Sequence, residues 1–388
     1  MHLRLRVTTV ALVIAFGGFA CDNSKSDPAP TPAPAAASGA VAAKPAAAPE
    51  EAVKCEYGMC KVQLIGTATV AELEKTRDEL AKTQQTLRLD FNENTTDEQF
   101  KTIEKVPWVR DVSLGMARKL TTLAPLAALK TLKSLYVGGN NNIKDIKPLA
   151  GMAELESLDI AMTGVSDLEP VKTMPKLRRL NLYACKAVTD LAPLANNATI
   201  TWLNLYMVVP KDWAPVSTLA NLEYLNVAFS ELKDLSLVTK LSKLQEVDAS
   251  WSKQLKDIKA LAQLKGLLRL QCIDCPITDL KPLAGLKGMT SIGISGTAVA
   301  DLKPISGMPA LQMLDVQRSK VKSLDPAKKL AKLGAVYAAG TAVKDFKPLT
   351  ASAEAKSLYY VLAPKGTPEA KLAMLTKANP QCKVDVEK

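Results

Sequence analysis

Residues 155–206 read LESLDIAMTGVSDLEPVKTMPKLRRLNLYACKAVTDLAPLANNATITWLNLY, and this stretch decides the fold. It holds the run leucine-x-x-leucine-x-leucine three times, with isoleucine replacing one leucine in two of them (LESLDI, LRRLNL, ITWLNL), centred on Leu158, Leu180 and Leu203. Apolar residues alternate with polar ones inside each run, the pattern of a short strand with one buried face. Working outward, the same position is filled by Val112, Leu135, Leu225, Val247, Leu270, Ile292, Leu314, Val336 and Leu358, in steps of 22 or 23 residues. A fixed period of this size marks a solenoid, in which each coil buries its apolar face against its neighbours.

Two further columns keep the same period. A small residue follows each strand: Asn140, Thr163, Cys185, Ser230, Ser252, Cys275, Thr297, Ser319 and Thr341. Buried there, such side chains can bond backbone groups of a neighbouring coil that would otherwise lack partners. Then comes an element of aspartate, apolar residue, any residue, proline, apolar residue, as in DIKPLAGM, DLEPVKTM, DLKPISGM and DFKPLTAS. Proline fixes φ and suits a first helical turn, so this return should carry short helical or 3₁₀ pieces. The extra residue of the 23-residue units falls after the small-residue column (NNNI, CKAV, SKQL), where a loop outside the core is expected.

These units resemble the leucine-rich repeats of bacterial internalin-type proteins over residues 108–362. The resemblance implies an α/β solenoid, right-handed and curved, with a parallel sheet on a concave face that binds partners. Val208 in the small-residue column, and Ala249 and Ala338 as weak apolar partners, depart from the pattern. Solenoid ends need caps. Residues 51–107 read as an N-terminal flank: an amphipathic helix within 70–80, a strand at Leu87 and Leu89, and a helix capped by Thr96 and Asp97. Residues 363–388 read as a C-terminal cap, with Thr367-Pro368-Glu369 opening a helix, Asn379-Pro380 ending it and CKVDV forming a final strand.

The first fifty residues differ in kind. Arg4 and Arg6 precede an apolar segment from Val7 to Phe16, which has the length of a signal peptide's apolar region. Residues 1–20 are therefore read as a signal peptide. Cys21, after Gly18-Phe19-Ala20, resembles the lipidated cysteine of a lipobox, although Gly18 stands where that family has leucine. The same residues also suit ordinary cleavage between small side chains, which would leave Cys21 free. Residues 21–50 are then the lipid site and a Pro/Ala-rich linker, which at about 3.1 Å per residue in extended form reaches ~90 Å. The expected location is the cell envelope, anchored by lipid to a membrane.

Composition excludes several chemistries. The chain's one histidine, His2, lies in the signal segment, so the mature protein has no histidine for nucleophile activation or metal ligation. Three aspartates on the expected concave face, Asp159, Asp248 and Asp315, stand about 14 Å or more apart by strand spacing. Glycosidase carboxylate pairs need roughly 5–9.5 Å. No enzyme, cofactor or metal is expected. Cys55 and Cys60 are candidates for a local disulfide in an exported protein. Cys272 and Cys275 fall on inward columns and read as buried thiols. The net charge of +11 drops by two on loss of the signal segment; it suits either acidic partners or a solvated lysine-covered surface.

Outward strand positions are open to specify a partner. Tyr136, Tyr183, Trp202, Tyr206, Tyr224, Phe229, Trp251, Tyr337 and Tyr359 fall there or just beyond, six of them within 180–251. A polar ladder runs beside them through Asp159, Asn181, Asn204, Asn226, Asp248 and Gln271, flanked by Arg179 and Arg269. Exposed Trp, Tyr and Arg commonly anchor interfaces. Stacked aromatics and amide ladders also stabilise a parallel sheet by themselves, so a spacer without a ligand is the rival reading. The partner-binding set is Arg179, Tyr183, Trp202, Tyr206, Tyr224, Phe229, Asp248, Trp251 and Arg269. The expected ligand is a protein or a glycan; nucleic acid is not expected, because the nearest carboxylates would repel its backbone, and the protein is expected to be a monomer.

Overall fold

The computed structural model describes residues 53–56, 59–63, 73–75, 77–78 and 86–388. The signal segment, Cys21 and the linker lie outside them, as do the side chains of Cys55 and Cys60.

One sheet of 16 strands runs the length of the unit 51–388 in strict chain order. β1 (Val53–Glu56) pairs antiparallel with β2 (Met59–Gln63), with Cys55 opposite Cys60. Every later pairing is parallel, from β2 and β3 (Thr86–Asp90) onward. The repeat strands have three residues each: β4 (Asp111–Ser113), β5 (Ser134–Tyr136), β6 (Ser157–Asp159), β7 (Arg179–Asn181), β8 (Trp202–Asn204), β9 (Tyr224–Asn226) and β10 (Glu246–Asp248). They continue as β11 (Arg269–Gln271), β12 (Ser291–Gly293), β13 (Met313–Asp315) and β14 (Ala335–Tyr337), and the sheet ends with β15 (Tyr360–Ala363) and β16 (Lys383–Val386). The middle residue of each three-residue strand is buried, and the outer two point to the open face, as alternation requires. Ala249 and Ala338 are fully buried despite their size.

The returns are short 3₁₀ turns, and their aspartates have a definite task. Asp145 Oδ1 accepts the N–H of Lys147 at 2.8 Å, and Asp167, Asp190, Asp212, Asp279, Asp301 and Asp345 each do the same two residues on, at 2.8–2.9 Å. Proline follows that N–H in each case and donates nothing itself. The aspartate thus satisfies the backbone donor that opens the turn.

The small residues of the column are buried, Thr341 half-buried, and most bond backbone carbonyls. Asn140 donates to Leu114 O and Val137 O at 2.7 and 2.6 Å, and Cys185 donates to Ile160 O at 2.9 Å. Ser230 and Ser252 pair at 2.9 Å, while Cys275 reaches Ala249 O at 3.1 Å. Thr163, Thr297, Ser319 and Thr341 bond carbonyls of their own coil, not the neighbouring one, at 2.6–2.7 Å. Both Cys272 and Cys275 are buried free thiols.

At the last repeat the structure departs from simple spacing. Val361, not Leu358, pairs with Val336, because the helix Thr350–Glu354 lengthens this coil by three residues. Tyr360 therefore takes the outward strand position, and Tyr359 sits just before it, 59% exposed. The flanks continue the same sheet. Thr96 caps the helix Asp97–Phe100 through a reciprocal pair with Gln99, and a helix at Ala373–Ala378 precedes β16.

Candidate functional site

On the open face, the first outward column brings Arg179, Trp202, Tyr224, Glu246 and Arg269 into register on β7 to β11. Trp202 and Tyr224 stack at 4.7 Å and 7°, the distance that the strand spacing imposes on side chains in register. The Arg179 guanidinium lies over the Trp202 ring at 4.2 Å, a cation–π contact. Arg269 is held by Glu246 at 2.6 Å. The row is thus a stack closed at one end by an arginine and followed at the other by an ion pair.

The third strand position forms the polar ladder, and its oxygens are largely occupied. Asn181, Asn204, Asn226 and Asp248 each accept the N–H two residues on, at 2.9–3.1 Å. Asn181 also donates to Asp159 at 2.8 Å, and Asn226 to Asp248 at 3.3 Å. Burial raises the carboxyls of Asp159 and Asp248 above the usual carboxylate range, and their hydrogen bonds offset it only in part. The ladder therefore ends each strand and sets the turn, besides facing the open side.

Beyond the ladder stands a second aromatic group. Tyr183 and Tyr206 stack at 4.4 Å and 8°. Tyr206 meets Phe229 edge-on at 5.1 Å, and Phe229 stacks on Trp251 at 5.1 Å. Burial pushes the Tyr206 and Tyr224 hydroxyls up to about 12. Tyr337 and Tyr360 make a separate pair at 5.3 Å.

Sequence reasoning missed the backbone under this second group. Met116, Gly139, Met162, Ala184, Met207, Phe229, Trp251, Asp274, Gly296, Arg318 and Gly340 all have φ between 52° and 83°. They occupy one position per coil, just past the strand. Glycine takes this left-handed conformation freely, whereas other L-residues pay about 1–2 kcal/mol. Phe229 and Trp251 are bulky residues at a site where glycine fits best, and Phe229 is 39% exposed. Met116 and Met162 share the ledge at 43% and 37% exposure. The glycines at 139, 296 and 340, one per repeat at matching places, were the available signal.

No family model and no curated protein matches the chain. Solved structures do. An internalin (inlF) from Listeria monocytogenes is similar at 24% identity with a TM-score of 0.64, over 74% of this chain and 82% of that one. The leucine-rich-repeat protein LIC12759 of Leptospira interrogans is similar at 15% identity and TM-score 0.52, over 83% and 93%. The functional domain of InlJ from Listeria monocytogenes, whose structure includes a cysteine ladder, is similar at 18% identity and TM-score 0.52, over 67% and 55%. These likenesses show the fold: an internalin-type leucine-rich-repeat solenoid. Among the described residues, no helix is long and apolar enough to cross a membrane.

Proposed function

We propose that the chain is a non-catalytic binding module of the cell envelope, tethered through lipid on Cys21, that takes a protein partner on the open face of β7 to β10. The observation that carries this reading is the aromatic cluster: Tyr183, Tyr206, Phe229 and Trp251 follow one another in ring contact across four neighbouring coils, beside the Trp202–Tyr224 stack, and Phe229 is 39% exposed. The ring geometry favours protein over glycan here. Trp202 and Tyr224, like Tyr183 and Tyr206, spend ring faces on each other, which leaves fewer faces for a sugar. Sugars bind aromatic faces, whereas a protein surface uses edges and hydroxyls equally well. Arg179, Tyr183, Trp202, Tyr206, Tyr224, Phe229 and Trp251 form the contact surface, with Asp248 and Arg269 at its edge. The leucine-rich-repeat fold of the neighbours supports a binding role. The anchor is tested by Cys21→Ala, which should move the protein from the membrane fraction to the soluble fraction; a mutant that stays with the membranes removes the lipid from this reading. The rival spacer reading requires that the face capture nothing, and the variants discussed below separate the two.

A further inference from the structure

The chain's positive charge is gathered at one end of the solenoid and on one side of it. Residues 319–377 hold eleven lysines, no arginine and four carboxylates, which gives +7 of the chain's +11. All eleven lysines are exposed, and all lie in the segments that return from β13 to β14, from β14 to β15 and from β15 to β16. None stands in a strand, so the open face has no part in this cluster. Three lysines of earlier returns have carboxylate partners: Lys172 with Glu169 at 2.8 Å, Lys259 with Asp257 at 3.2 Å and Lys281 with Asp279 at 3.8 Å. From Lys303 to Lys377 no lysine is in an ion pair among the described residues. The carboxylates nearby are engaged elsewhere. Asp301 and Asp345 accept backbone N–H groups at 2.8 and 2.9 Å, and Asp325 accepts the Ser323 hydroxyl at 2.8 Å. Two grooves open on this side between coils. One, of about 550 Å³, holds Lys303, Lys328 and Lys329 beside the engaged Asp301 and Asp325. The other, of about 230 Å³, holds Lys344, Lys365 and Lys371 and has no carboxylate in its lining. Like charge gathered in this way costs the fold through self-repulsion, a cost that an anionic partner removes.

We propose that this lysine side is a docking face for an anionic phospholipid surface, with headgroup phosphates held by the lysines of the two grooves. The residue types select a membrane among polyanions. Lysine is a compact, strongly hydrated point charge, whereas forked recognition of a particular phosphate or carboxylate calls on arginine, which this stretch lacks. Single-stranded nucleic acid also needs aromatic rings to stack its bases. The aromatics of this stretch lie elsewhere: Phe346 is in the core, Tyr337 and Tyr360 are in strands, and Tyr359 directly precedes β15. A fluid layer of headgroups asks only for many lysines on one side, each adding to the attraction. The choice of a membrane rests on the envelope reading above, but the contact itself does not need lipid on Cys21. Docked by its returns, the solenoid keeps the aromatic surface of β7 to β10 turned away from the membrane, since sheet and returns lie on opposite sides of the core.

The test is co-sedimentation of the full chain carrying Cys21→Ala, which removes the lipid, with two kinds of vesicle. One is phosphatidylcholine alone, and the other is an equal mixture of phosphatidylcholine and phosphatidylglycerol. Binding to the mixed vesicles is expected, falling at least tenfold as salt is raised from about 0.1 to about 0.5 M. Binding through the apolar segment near the N-terminus shows with both kinds of vesicle and is subtracted. Lys328→Glu, Lys329→Glu, Lys344→Glu and Lys371→Glu together should weaken the salt-sensitive binding about tenfold or more. Lys144→Glu, Lys147→Glu, Lys233→Glu and Lys256→Glu make the same change of charge on earlier returns, and together should weaken it less than about threefold. All eight positions are exposed, so neither variant should melt below the parent. Equal losses in the two variants would reduce the attraction to net charge and overturn the docking face, as would a failure to bind the mixed vesicles. Capture of duplex DNA, lost in the first variant while the vesicles stay free, would give the face to nucleic acid and overturn the membrane assignment. Washing cell membranes in high salt strips a lysine-borne contact, so retention of Cys21→Ala after the wash counts against the lipid anchor alone.

Discussion

The strands β7 to β10 and the strands β11 to β13 share one frame and carry opposite faces. In both, an apolar residue fills the strand centre, a small residue (Val208 after β8 excepted) is buried just after it, and a left-handed residue turns the chain. On the first set, the open face holds Trp202, Tyr224, Tyr183 and Tyr206, with Phe229 and Trp251 on the ledge. On the second it holds serine and glycine at β12, and Asp274, Gly296 and Arg318 on the ledge. The frame tolerates either extreme because the outward side chains touch mainly one another. The solenoid thus separates what must be kept for folding from what is open to recognition, and one exception, the Asn/Asp ladder, belongs to both.

The largest expected effect tests whether the frame is common. Ser230→Leu lies in the aromatic half and Thr297→Leu in the small-residue half. Each forces bulk into a buried turn and breaks a hydrogen bond, at 2.9 Å to Ser252 and 2.7 Å to Ile294 O. Each should cost about 2–4 kcal/mol in chemical denaturation. Lys281→Ala on a return should change stability by under ~0.5 kcal/mol. If one leucine variant proved as mild as the lysine variant, the two halves would not share a frame.

The next effect concerns the faces. Trp202→Ala and Tyr224→Ala should each weaken protein capture by about 2 kcal/mol, the scale of interface hot spots. The lost stack itself should cost the fold only about 0.5–1.5 kcal/mol. Tyr337→Ala, in the separate pair near the C-terminal end, should leave capture intact. A Trp202/Tyr224 double variant with unchanged capture but a large fall in melting temperature would make the stack a structural device and favour the spacer reading.

The frame was legible in the sequence because its three columns repeat with chemistry attached: Leu158, Leu180 and Leu203 in the strands, Thr163 and Ser230 behind them, and the Asp-x-x-Pro returns. The stacking of Trp202 on Tyr224 followed from the period alone. What stayed hidden depends on backbone conformation. The positive φ of Phe229 leaves no mark on its own side chain, and the ladder's capping of backbone N–H groups looks in sequence like free polar surface. Val361 was missed for Leu358 because a helix of a few residues shifts register while both residues are apolar and buried.

Smaller effects test the ledge itself. Phe229→Gly removes a left-handed penalty of about 1–2 kcal/mol but loses two ring contacts worth about 0.5–1.5 kcal/mol each, besides buried apolar area, so a modest net loss of stability is expected with the fold intact. Capture of the protein partner should fall nonetheless. Gly296→Ala runs the other way. Its Cβ would meet Asp274 Oδ1 at 1.9 Å and sits at φ 69°, so a loss of about 1–2 kcal/mol is expected. Should Phe229→Gly leave capture unchanged, the ledge would lie outside the contact surface, and binding would rest on the Trp202–Tyr224 stack alone.

The smallest effect separates two aspartates of the same ladder by pH. Burial raises the Asp315 carboxyl in the fold, more than its bond from Gln317 lowers it, and burial raises Asp159 likewise. A raised value means that the folded chain holds the proton more tightly than the unfolded one. The stability gained is full below the unfolded value and is lost as pH rises through the folded one, so at neutral pH each ionised aspartate is a cost. Asp315→Asn keeps the oxygen that accepts Gln317 N–H and removes that cost. It should be as stable as the parent at neutral pH or more so, by less than about 1 kcal/mol, with a flatter profile across the carboxylate range. Asp159 differs because its second oxygen accepts the Asn181 amide at 2.8 Å. Asn at that place would set two amide donors against each other, so Asp159→Asn should destabilise at every pH. Denaturation midpoints between pH 4 and pH 8 decide it, and parallel behaviour of the two variants would mean that the ladder's side-chain bonds contribute nothing beyond the backbone caps.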